Sequence, residues 1–133
     1  MDISNLTSFA MYFFTAISLM VIFKFVYVII TPHDEWKLIK EEQNTAAAIG
    51  FGGAILGFSI ALAGSISNSV SYIDCIMWSV VALIAQSIAF VMVRFIFMPR
   101  IVERIEKNEV SAGIIMAVVN VSVGVLNAAC MTY

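Results

Sequence analysis

At 133 residues the chain has the length of one domain, yet 62% of it is hydrophobic and only 12% charged, against roughly 45–50% and ~25% in soluble domains. A soluble core of this size has too little interior for so much apolar surface, which argues against a soluble helical bundle with polar outer faces. A net charge of -2, with no basic patch interleaved with aromatics, argues against nucleic acid as a partner.

Four apolar segments, about residues 9–30, 46–65, 73–98 and 111–132, each approach the ~20 residues that a helix needs to cross a bilayer. The expected fold is an all-α integral membrane protein with four transmembrane helices in one membrane domain, residues 1–133. The start MDISNLTSF carries an acid where a secretory signal has a basic region, so the first span is expected to be retained.

The polar residues Met1–Ser8 are expected to emerge on the outer face. The first span carries Phe13, Phe14, Phe23, Phe25 and Tyr27, a population suited to lipid contact rather than tight packing. Within it Lys24 lies about eight residues before Pro32, roughly 12 Å deep at 1.5 Å per residue. It either snorkels or serves an interhelical or functional role.

Thr31-Pro32-His33-Asp34 has the form of a helix start, with a cap, a proline at the first position and a returning carboxylate. The short helix expected over 32–43 sets Trp36 as an interfacial anchor, with Lys37, Lys40, Glu41 and Glu42 around it. Asn44-Thr45 caps the second span. There Ala46, Gly50, Gly53, Gly57, Ala61 and Gly64 alternate at steps of three and four, which puts the smallest side chains on one face. Such a face packs helices inside the bundle, packs protomers together or lines a narrow pore, and spacing alone does not separate these.

The third span opens at Asp74 and Cys75, with Trp78 as an anchor, and holds Gln86 near its middle and Arg94 near its end. Arg94 stands about five residues before Pro99, within snorkelling reach. Met98-Pro99-Arg100 starts a second short helix without a good cap, and Arg104 and Lys107 follow. The last span carries Asn120 and Asn127, seven apart on one face, and Gly124. With Gln86 these amides either line a polar pathway or hydrogen-bond helices together.

All seven basic residues lie within or beside two of the connections between spans. By the positive-inside rule those connections are cytoplasmic, giving an N-out/C-out protein. A gapless shift of 67 residues lays the second half on the first: Phe23 on Phe90, Pro32 on Pro99, Lys40 on Lys107, Ala46 on Gly113, Gly57 on Gly124. The expected organisation is two tandem helical hairpins, about 9–66 and about 76–133, forming a parallel internal repeat about an axis along the membrane normal.

Cys75 and Cys130 fall on the expected outer side, where a disulfide is permitted. His33 has no second His or Cys at ligand spacing, so no metal is expected. No nucleophilic triad, phosphate loop or redox motif is present, and neither an enzyme nor a cofactor is expected.

The segments Ile30-Thr31-Pro32-His33-Asp34-Glu35-Trp36, Asn44-Thr45-Ala46-Ala47 and Asn127-Ala128-Ala129-Cys130-Met131-Thr132 closely resemble the YjfL-like bacterial inner-membrane proteins, domain of unknown function family 350. The resemblance implies a four-span protein with paired repeats in the bacterial inner membrane. It also implies a phage-shock-type peripheral membrane protein as a partner, because family members often occur beside genes for one. Two functions are therefore expected in competition. One is a non-enzymatic, homo-oligomeric module of envelope maintenance or stress, acting through a peripheral cytoplasmic partner. The other is a small ion or solute channel or transporter lined by small and Asn residues.

Overall fold

The computed structural model describes residues 3–30, 35–98 and 100–131, excluding the side chains of Glu35 and Trp36. Among the described residues six α-helices follow one another: α1 (Ile3–Ile30), α2 (Glu35–Lys40), α3 (Thr45–Asn68), α4 (Tyr72–Met92), α5 (Ile101–Glu106) and α6 (Val110–Cys130). Four of them, with α4 prolonged to Phe97, are long and apolar enough to cross a membrane. The all-helical, four-span expectation holds.

Element boundaries follow local chemistry. The Asn44 side chain accepts from the Ala47 amide at 2.8 Å and starts α3. Ser71 starts α4 by accepting from the Asp74 amide, while the Asp74 carboxylate accepts from the Val70 amide, a reciprocal cap that closes the outer turn. Two ends differ from expectation. Helix α1 begins at Ile3, so Ser4 to Ser8 belong to the helix rather than to a polar lead-in. Helix α4 widens into a π-helical turn, Val93–Phe97, which carries Arg94. A residue before proline is driven out of the α region, and Met98, preceding Pro99, has φ −151° and ψ 88°. The wider turn lets the Met98 amide still reach the Val93 carbonyl at 2.7 Å. The expected helix over 32–43 is shorter: α2 stops at Lys40, and Gln43 has a positive φ of 52° that turns the chain into α3. The Thr31–Asp34 helix start, with His33, lies outside the described residues.

Helix α3 is the central element, most deeply buried of the four spans. Helix α6 runs parallel to it, because successive contacts advance together along both: Ala46 meets Gly113, Gly57 meets Gly124 and Gly64 meets Ala128. Helix α4 packs across both, and α1 lies against α3 and α4. The expected lipid exposure of α1 holds along most of its length, with two exceptions, Phe23 and Tyr27, which are buried. Phe23 stacks on Phe58 at 4.6 Å between ring centres, and Tyr27 sits edge-on to Phe51 and Phe90. These rings join α1 to the three-helix core.

The α3/α6 seam leaves no room for side chains. A methyl group at Gly57 would strike the Asn120 carbonyl and lie 2.6 Å from Gln86 Nε2; one at Gly124 would strike the Gly57 carbonyl. Backbones thus meet directly, which recovers dispersion contact that lipid cannot supply. Gly52, by contrast, faces open space. Gly57→Ala is therefore expected to destabilise the bundle by about 1–3 kcal/mol through overpacking, while Gly52→Ala does not destabilise it. Thermal unfolding of the two variants in one detergent checks this contrast.

Candidate functional site

Two buried carboxamides meet at the waist of the core. Gln86 on α4 and Asn120 on α6 are each 1% exposed. Gln86 Nε2 donates to the Asn120 carbonyl oxygen at 2.7 Å, and Asn120 Nδ2 donates to its own helix at the Met116 carbonyl, 2.8 Å. These donations fix both amide orientations, leaving Gln86 Oε1 and Asn120 Oδ1 without hydrogen-bond partners. The absence of a side chain at Gly57 makes room for the Gln86 amide. Asn127 is only half buried and reaches the Ala82 carbonyl at 3.3 Å, so it ties α6 to α4 rather than extending the buried pair. Gly50 lies against Met116, and Gly53 against Ala117.

A second polar grouping lies at the end of the bundle carrying α2 and α5. Asn44, 4% exposed, caps α3 with its oxygen and donates through Nδ2 to the Ile105 carbonyl at 2.7 Å. The Asn108 side chain, on a residue with φ 58°, accepts from the Ala46 amide at 3.0 Å. Each of the two turns therefore holds the start of α3 against the end of α5, over buried Leu38, Ile101 and Ile105. Lys37, Lys40, Glu41, Glu42, Arg104 and Lys107 are all exposed on this end. Arg104 pairs with Glu109 at 3.5 Å, both about two-fifths exposed, a geometry of little energetic weight. The Trp36 side chain lies outside the described residues.

The charges within spans are half-buried. Lys24 Nζ is 5.2 Å from the Phe25 ring centre and Arg94 Cζ 5.5 Å from that of Phe95. Cys75 and Cys130 are free thiols rather than a disulfide: Cys75 is buried and Cys130 exposed. Cys75 belongs instead to a polar contact between α3 and α4. Ser65 donates to the Cys75 carbonyl at 2.9 Å and lies 2.9 Å from the Ser79 hydroxyl. Sequence reasoning missed Ser65, Ser79 and the donor side of Asn44. Cys75 and Ser79 stand four apart on one helix face, but their partner on α3 has no mark in the chain order.

Residues 1–131 match the family model Domain of Unknown Function (DUF350). The chain belongs to this family. It is 40% identical over 131 residues to the UPF0719 inner membrane protein YjfL of Escherichia coli (strain K12), covering 98% of each chain. It is 30% identical over 128 residues to the UPF0719 transmembrane protein YshE of Bacillus subtilis (strain 168), covering 95% of this chain and 94% of that one. No solved structure matches. With four spanning helices, the chain is a multi-pass protein of the bacterial inner membrane. The family is an uncharacterised membrane family, and these relatives carry no enzymatic name.

The two polar groupings differ in what their loss does. Asn44→Ala removes a cap and an interhelical donor and is expected to cost about 1–2 kcal/mol. Gln86→Met removes one donor together with its unpartnered oxygen and is expected to change stability by less than about 1 kcal/mol. Denaturant titration of helicity in mixed micelles measures both.

Proposed function

We propose that this protein is a non-enzymatic inner-membrane module whose working surface is the joined α2/α5 end. The observation that carries the reading is the pair of cross-bonds from Asn44 to Ile105 and from Ala46 to Asn108, which fix the start of α3 to the end of α5, while the Asn44 amide donates to the Leu38 carbonyl of α2 at 2.9 Å. A rigid, charged, exposed end is suited to docking a peripheral protein, since little ordering is lost on binding. Basic residues cluster here, so this end faces the cytoplasm and the chain is N-out/C-out. The partner is a phage-shock-type peripheral membrane protein, the module is homo-oligomeric, and the role is envelope maintenance or stress.

The module is built from two hairpins related by an axis along the membrane normal. Supporting this, Ala46 with Gly113 and Gly57 with Gly124 are pairs equated by the 67-residue shift, and each pair is in contact. A twofold axis passing between two copies brings equivalent residues together in this way.

The alternative, a small ion or solute channel or transporter, is favoured by one observation: the buried, unpartnered Gln86 Oε1 and Asn120 Oδ1. Against it, the small-residue face is taken up by the α3/α6 contact.

Nanodiscs holding the wild-type chain are expected to bind the phage-shock-type protein, and reversing Lys37, Lys40, Arg104 and Lys107 to Glu is expected to abolish that binding. Undiminished binding by the reversed protein, or none by the wild type, sinks the docking role. In proteoliposomes, wild type and Asn120→Leu are expected to show ion flux no higher than empty vesicles; flux lost in Asn120→Leu establishes the channel instead.

A further inference from the structure

A groove of about 250 Å³ runs between α1 and α3 and opens sideways to the bilayer. Ile17, Met20, Val21 and Lys24 form one wall at the spacing of a single helix face, and Phe51 and Ile55, one turn apart, form the other. The two helices are antiparallel, as Met20 meets Ser59 and Tyr27 meets Phe51. Lys24 and Phe51 therefore stand at the end nearer α2, while Ile17 lies deepest in the membrane.

Among the described residues of the lining, Lys24 is the charged one and the rest are apolar. It is six residues short of the end of α1, roughly 9 Å along the axis. The flexible four-carbon stem of Lys24 carries its ammonium toward the headgroups rather than beyond them. A lipid phosphate drawn down to it forms charge-assisted hydrogen bonds. The acyl chain below that phosphate then lies along Val21, Met20 and Ile17. Cation and apolar slot are thus arranged in the order in which a phospholipid presents its anion and its tail. Basic pockets between spans are a known form of headgroup recognition.

We propose that the α1/α3 groove is a binding site for one anionic phospholipid in the leaflet nearer α2 and α5, with its phosphate on Lys24 and an acyl chain in the slot. A zwitterionic lipid fits the same slot, but its headgroup cation offsets the attraction.

Native mass spectrometry of the full chain in detergent, with dioleoyl-phosphatidylglycerol or dioleoyl-phosphatidylcholine, tests the site. One lysine near the surface is worth about a fivefold preference, so the anionic lipid is expected to be retained about fivefold better. Lys24→Gln brings it down to the phosphatidylcholine level, Lys24→Arg keeps the preference, and Val21→Trp, which fills the slot, lowers retention of both lipids. Circular dichroism and size exclusion establish that each variant is folded. Equal retention by the wild type, a preference that survives Lys24→Gln, or full retention by Val21→Trp overturns the proposal. So does displacement of the bound lipid by free glycerol 3-phosphate, which would make the ligand a soluble phosphate.

Discussion

The direct backbone contact between α3 and α6 is the constraint on which the rest of the structure depends. In a bilayer there is no hydrophobic gain from bringing two apolar helices together, so association rests on dispersion contact and hydrogen bonding. Gly57 and Gly124 bring the backbones within reach of one another, and Gly113 does the same at Ala46. Because the two helices are parallel, no short loop can join them. The chain must cross the membrane again through α4, and α4 accordingly packs over the seam it connects.

The same close approach governs the polar interior. Gln86 can lay its amide on the Asn120 carbonyl because nothing projects from Gly57. A buried oxygen without a partner costs about 1–3 kcal/mol, and two of them lie in this core. The other buried polar side chains among the described residues, Asn44, Ser65 and Ser79, are hydrogen-bonded, so these two oxygens are the feature that favours the channel reading. At the α2/α5 end the logic is opposite: Asn44 uses both its oxygen and its nitrogen, and the turn is tied down by satisfied bonds.

Helix α1 stands apart from this tightly packed core. Its buried side chains are Phe23 and Tyr27, whose rings fill the space against Phe58, Phe51 and Phe90, while Tyr12 and Thr15 meet Tyr72 nearer its start. Bulky aromatics hold helices farther apart than glycines do, and the α1/α3 groove is the geometric result. The spacing that makes α3/α6 a sealed contact and α1/α3 an open one follows from which face of α3 each partner meets.

The amino-acid sequence by itself determined four apolar spans, two short charged connections, the Asn44 cap and the small-residue face of α3, because length, periodicity and capping are local properties. It also carried family membership, over residues 1–131. Local properties did not determine which helix the small face meets, that Gln86 rests on the Asn120 backbone, that Cys75 sits with Ser65 and Ser79, or that Tyr27 is buried in a helix otherwise facing lipid. Nor did they reveal the π turn at Arg94, although Pro99 contains its cause. Those outcomes were decided only in the tertiary structure, since in a chain apolar on nearly every face, partner choice depends on where backbones can approach, and that is a property of two helices together.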